Sequence, residues 1–120
     1  MRGRVVAAAV VATVALTGCQ SIPEDASTKA FCSAGEKYSE LRDVEFAEAL
    51  RVSKQLAEVG TPRDIDASAR AGFVELVQRM EDAENGADFR QRTKSMDEAE
   101  RKHLLDLDSY IQKTCAQAAG

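Results

Sequence analysis

The tripeptide Gly60-Thr61-Pro62 cuts this chain into parts that read as helices. Glycine ends a helix by entering the left-handed region, and a proline two residues on cannot continue it. Upstream, Phe31, Ala34, Tyr38 and Leu41 recur at spacings of three and four, and Phe46, Ala49, Leu50, Ser53, Leu56 and Ala57 continue with a shifted phase. Downstream, Ile65, Ala69, Phe73, Leu76, Val77 and Met80 line one face, and Leu104, Leu107, Ile111, Cys115 and Ala118 line another. These are amphipathic helical patterns. No stretch alternates with period two, so the expected fold class is all-α.

The first residues read differently. Arg2 and Arg4 precede a twelve-residue run of Val and Ala, with one Leu and one Thr, from Val5 to Leu16. A helix of twelve residues rises about 18 Å, short of the ~30 Å hydrocarbon core of a bilayer. A short apolar run between basic and small residues is the pattern of a cleavable export signal. Leu16-Thr17-Gly18-Cys19 resembles the lipobox of bacterial lipoproteins. The resemblance implies thioether attachment of a diacylglycerol to Cys19, cleavage between Gly18 and Cys19, and acylation of the new amino group in some species. Two acyl chains make a stable anchor where one is marginal. An ordinary secretory signal cut elsewhere, or an uncleaved membrane helix, is the competing reading. On the lipobox reading residues 1–18 are the signal, 19–27 a lipidated tether containing Pro23, and 28–120 one helical domain on the extracytoplasmic face of the cell membrane.

Charge narrows the partners. Without Arg2 and Arg4 the chain carries 14 basic against 20 acidic residues, a net of about −6. That excludes nucleic acid and a polybasic grip on anionic lipid. The acids Glu36, Glu40, Glu45 and Glu48 offer a negative face to a basic partner, or simply a solvated helix surface.

Of three cysteines, Cys19 is consumed by the lipid on this reading, leaving Cys32 and Cys115 as an even pair in an oxidising compartment. A disulfide between them is expected, with two buried free thiols as the alternative. Two Cys without nearby His do not make a zinc site. Closing so long a loop stabilises by about 4 kcal/mol in the chain-entropy model. The pair also constrains topology, because bridged Cα atoms lie within about 7 Å. Three simple antiparallel legs would put Cys32 and Cys115 at opposite poles, so an even number of legs is required, or one connection that runs the full length.

A single helix over residues 28–59 would be about 48 Å long and overhang its partners. The phase slip near Arg42-Asp43-Val44, with Asp43 as a cap, favours a break. The expectation is therefore a small antiparallel bundle of four helices, 28–41, 44–59, 66–84 and 96–117. The rival is one long first helix with residues 85–95 crossing back. Ser27 or Thr28 is expected to cap the first helix. Asn85-Gly86 is expected to end the third as a left-handed pair. Ser95-Met96-Asp97-Glu98 reads as the capping box of the fourth, and Phe89 as one helical turn plugging the core. Glu75 with Arg79, Asp97 with Arg101 and Glu98 with Lys102 are expected i,i+4 pairs.

A set of anchors runs through the body: Phe31-Cys32, the run Val59-Gly60-Thr61-Pro62-Arg63-Asp64-Ile65, the run Ala69-Arg70-Ala71-Gly72-Phe73, and Tyr110 five residues before Cys115. On these residues the body looks like a family of small, uncharacterised lipoproteins from high-GC Gram-positive bacteria. The resemblance implies a helical, disulfide-closed envelope domain and brings no catalytic residues. No cofactor is expected. The lone His103 sits on a polar shoulder beside Leu104, and Asp106 with Asp108 lacks the other ligands of a calcium loop. No nucleophile elbow, phosphate loop or His-Glu-x-x-His motif is present, so no enzyme is expected. Two functions remain: an accessory module binding another envelope protein, or a carrier of an apolar ligand held in a pocket lined by Phe31, Tyr38, Phe73 and Tyr110.

Overall fold

A computed structural model describes residues 21–40 and 45–119. The leader, Gly18, Cys19, Leu41 and Asp43 lie outside the described residues. Five helices follow one another: α1 Thr28–Ser39, α2 Phe46–Val59, α3 Ala67–Asp82, α4 Gly86–Lys94 and α5 Glu98–Ala119. No strand occurs among the described residues. The chain is all-helical, and Cys32 is bonded to Cys115, with Cα atoms 5.4 Å apart.

Among the described residues the helix count is five rather than four. Glu40 closes α1 and Glu45, in extended conformation, precedes α2, so residues 28–59 form two helices and the single long helix is overturned. The additional helix is α4, nine residues where one turn was expected. Its amphipathicity is slight, and local polar bonds build it. The Asn85 side chain accepts from the Asp88 amide at 2.9 Å, Asp88 pairs with Arg92 at 2.9 Å, and Arg92 and Lys94 sit at the negative end of the helix dipole. Asn85 is therefore an N-cap in extended conformation (φ −164°), not the left-handed stop of α3, which ends at Asp82.

Caps fix the other boundaries. The Ser27 hydroxyl accepts from the Ala30 amide at 3.0 Å, and the Asp66 carboxylate from the Ala69 amide at 3.2 Å. At the start of α5 the reciprocal box is Asp97 with Glu100. Asp97 accepts from the Glu100 amide at 2.8 Å, and Glu100 accepts from the Asp97 amide at 2.9 Å. The expected box on Ser95 stands two residues too early. Ser95 instead closes α4 and turns its hydroxyl back onto Gln91.

The core is Phe31, Leu56, Ala69, Phe73, Val77 and Leu107. Phe31 is 6.0 Å from Phe73 and 5.8 Å from Tyr110 between ring centroids, the latter edge-on, within the range where aromatic pairs attract beyond their burial. Helix α5 packs chiefly on α3. Three polar links, Tyr110 to Asp64, Ser68 to Asp106 and Glu75 to His103, descend α5 as they ascend α3, so the two run in opposite directions. Gly72 lets them approach, since a Cβ there would stand 2.3 Å from the His103 carbonyl oxygen.

Candidate interaction groove

Two features outside the core organise the surface. The first is an apolar groove of about 850 Å³. The end of α1 contributes Gly35, Tyr38 and Ser39, the start of α2 Phe46 and Ala49, and α4 Phe89 and Arg90. Its long wall is α5, with Leu104, Leu105, Leu107 and Ile111. The 3.6-residue period explains that wall, because α5 buries Leu107 in the core and turns Leu105, 67% exposed, to the rim. The groove's ionisable residues are Tyr38, Arg90 and Asp108, and Asp108 accepts from the Gln112 amide group at 3.0 Å. Burial raises the Tyr38 hydroxyl above its ordinary value, with Arg79 pulling the other way. A raised phenol stays protonated at neutral pH and serves as a hydrogen-bond donor rather than a base.

The four residues expected around one apolar pocket are not gathered there. Phe31 and Phe73 are filled core, 2% and 3% exposed, and Tyr110 turns its hydroxyl to Asp64 at 2.9 Å, with burial the first cause of its raised pKa and the Asp64 bond the second. Tyr38 alone of the four lines the groove. Sequence periodicity marks all of them as inward but cannot separate a filled core from a crevice at its edge.

The second feature is a strap formed by residues 22–26, which were expected to be part of a free tether. Arg70 donates from Nη2 to the Ile22 carbonyl at 2.8 Å and from Nη1 to the Pro23 carbonyl at 3.0 Å. The same Nη1 donates to the Thr61 hydroxyl at 2.7 Å. The Thr61 amide donates to the Pro23 carbonyl at 3.0 Å, and the Ala26 amide to the Thr61 carbonyl at 3.1 Å. Thr61 is wholly buried beneath the strap. Gly60 has φ +81°, and a Cβ there would stand 2.3 Å from the Pro23 oxygen, so both conformation and space demand glycine.

The chain matches no family model, no curated protein and no solved structure.

Several other ionisable residues are engaged by neighbours. His103 Nδ1 lies 2.9 Å from Glu75 Oε2 across the α3–α5 interface, so Glu75 turns inward to His103 instead of outward to Arg79. Lys102 pairs with Asp106 at 2.7 Å rather than with Glu98, and Arg101 reaches the Lys94 carbonyl rather than Asp97. Of the four helical acids, Glu48 is paired with Arg51, while Glu36, Glu40 and Glu45 are exposed. Among the described residues no three His, Cys, Asp or Glu side chains converge as metal ligands, and no helix is long and apolar enough to cross a membrane.

Proposed function

We propose that this chain is a membrane-anchored extracytoplasmic lipoprotein that acts as a non-enzymatic accessory module, using its groove to hold an apolar segment of another envelope protein. On this reading residues 1–18 are removed, Cys19 carries the diacylglycerol, and α1, α2, α3 and α5 are the legs of an antiparallel four-helix bundle capped by α4. The likeness to the lipobox and to small lipoproteins of high-GC Gram-positive bacteria supports the anchor. One observation carries the interaction role: the groove is a contiguous, solvent-facing apolar surface with Leu105 on its rim. An apolar surface gathered into one groove is where an apolar segment of a partner is most readily seated.

A second reading keeps the anchor and makes the groove a seat for an apolar small ligand. Its volume, about 850 Å³, falls in the range of ligand sites. The open form of the groove and the filled interior at Phe31 and Phe73 favour the protein partner. The test is photo-cross-linking from position 105 in native membranes, with mass spectrometry of the product. Capture of one protein, competed away by excess unlabelled parent but not by excess unlabelled L105D, supports the first reading. Capture of lipid or small ligand alone replaces it with the second, and neither product sinks both.

A further inference from the structure

We propose that Arg70, with Thr61 and Gly60, turns the lipid anchor into an oriented mount, holding the α2–α3 turn against the bilayer surface and pointing the α4 end of the groove away from it. This rests on the reading that Cys19 is acylated. A free tether over residues 19–27 would reach about 30 Å and let the domain tumble. The strap removes most of that freedom. From Ile22 onward the backbone is fastened by Arg70 and Thr61, so three residue steps separate the fastened chain from Cys19, a reach of about 10 Å. The guanidinium suits the task, because its rigid fork spans two successive carbonyls at once and stays charged at every physiological pH.

The fold then sets which surfaces face which way. The strap crosses Gly60 at the end of α2, while the groove takes Phe46 and Ala49 from the beginning of that helix. From Ala49 to Val59 the helix rises about 15 Å. Helix α1 leaves the strap at Thr28 and reaches the groove at Gly35, Tyr38 and Ser39, about 10–17 Å further on. Helix α4, which closes the groove, lies at the far end of α3 from Arg70. The α5 wall runs back beside Ser68 and Asp64, so the groove extends along the bundle with its α4 end farthest from the strap. The chain around the strap exposes Glu24, Asp25, Asp64 and Asp66 with Lys29 and Arg63, and Lys54 and Glu58 stand beside Ile22 and Pro23. These charges nearly balance, so the short fastened link to Cys19, and not a polybasic patch, sets how the domain stands on the membrane. The α4 end of the groove is thereby offered to a partner beyond the headgroup layer and not to lipid of the same bilayer.

The test uses the full acylated chain in vesicles of phosphatidylethanolamine and phosphatidylglycerol, with C19S in solution as reference. Water-soluble carbodiimide labels exposed carboxylates, read residue by residue by mass spectrometry. Glu24 and Asp25 should be protected severalfold on vesicles, and Glu84 and Glu98 not at all. R70A, with helicity and the Cys32–Cys115 bond retained, should still float with vesicles but lose that contrast. Its Ala26 and Thr61 amides, protected in the parent, should exchange with solvent. If R70A does not fold, T61V keeps the shape, removes the hydroxyl that seats Arg70, and should weaken the contrast. Equal protection of both carboxylate pairs in the floating parent, or an unchanged contrast in the folded variant, overturns the mount while leaving the anchor standing. Failure of the parent chain to float removes the anchor and the mount together.

Discussion

A β-carbon on Gly72 would meet the carbonyl oxygen of His103 at 2.3 Å. The neighbouring atoms are backbone of α5, which no rotamer change can move aside. Alanine gains about 1 kcal/mol over glycine in helix propensity, but overpacking a closely fitted contact costs about 1–3 kcal/mol. The contact wins because α3 on α5 is the main interface of the fold. Because only backbone movement relieves the clash, G72A should fall toward the costly end and lower stability by up to about 2 kcal/mol net. The urea midpoint of the oxidised protein reads it, and an unmoved midpoint would show that the helices separate freely.

The bond between Cys32 and Cys115 joins the first turns of α1 to the last turns of α5, 83 residues apart. In the chain-entropy model its loss destabilises by about 4 kcal/mol, a large part of the ~5–15 kcal/mol of an ordinary domain. The double variant C32S/C115S should show that loss in equilibrium unfolding. Its denaturant dependence should also steepen, because an uncrosslinked unfolded chain exposes more surface. A loss below about 1 kcal/mol would mean that the unfolded chain already keeps these ends close without the bond.

Helix α5 begins with Asp97 and Glu100 exchanging bonds with each other's amides. Removing an N-cap acceptor costs about 1 kcal/mol, so D97A should lose that much. S95A should lose less, because Ser95 only returns its hydroxyl to the Gln91 carbonyl. The two midpoints, compared in one denaturant series, decide which residue starts the helix.

The inward faces of α1, α2, α3 and α5 were legible because Phe31, Leu56, Phe73 and Leu107 repeat with the helical period. The disulfide was legible from cysteine count once Cys19 was set aside. Helix α4 was hidden because Phe89 is its lone large apolar residue, and its order comes from Asn85 and the Asp88–Arg92 pair. Asn85 suits a left-handed stop and an N-cap equally well by type, and only the extended backbone decides between them. The strap could not be read at all, since Arg70 meets Ile22 from 48 residues away and a lone helical arginine gives no sign of its partners. The groove was missed for a related reason: period shows which residues turn inward, not how far the opposing wall stands.

Asp106 accepts hydrogen bonds from Lys102 and from the Ser68 hydroxyl, and these hold its carboxyl below the ordinary value of 3.8, the lysine contributing most. A depressed folded-state pKa adds stability that is fully present above the unfolded value and is lost as pH falls through the folded one. The acid side of the stability profile should therefore fall between pH 3.8 and the lower pKa of the native carboxyl. D106N should remove that component of the slope, and added salt should shrink it in the parent because the pair is open to solvent. Carboxylate NMR titration of the parent and S68A checks the cause, with the Asp106 pKa expected to rise when the hydroxyl is gone.

Leu105 and Leu107 are two residues apart on α5 and have opposite duties. Leu107 is 3% exposed and belongs to the core, while Leu105 is 67% exposed at the groove rim. Truncating a buried leucine costs about 2–5 kcal/mol through lost burial and the cavity left behind. Exposed positions away from special features stay within about 0.5 kcal/mol. L107A should thus unfold the protein at markedly lower urea, and L105D should leave the midpoint almost unchanged. Binding should show the reverse order of harm per unit of stability: L105D, fully folded, should no longer retain the partner captured through the groove. Retention of that partner by folded L105D would place the interaction surface elsewhere on the molecule.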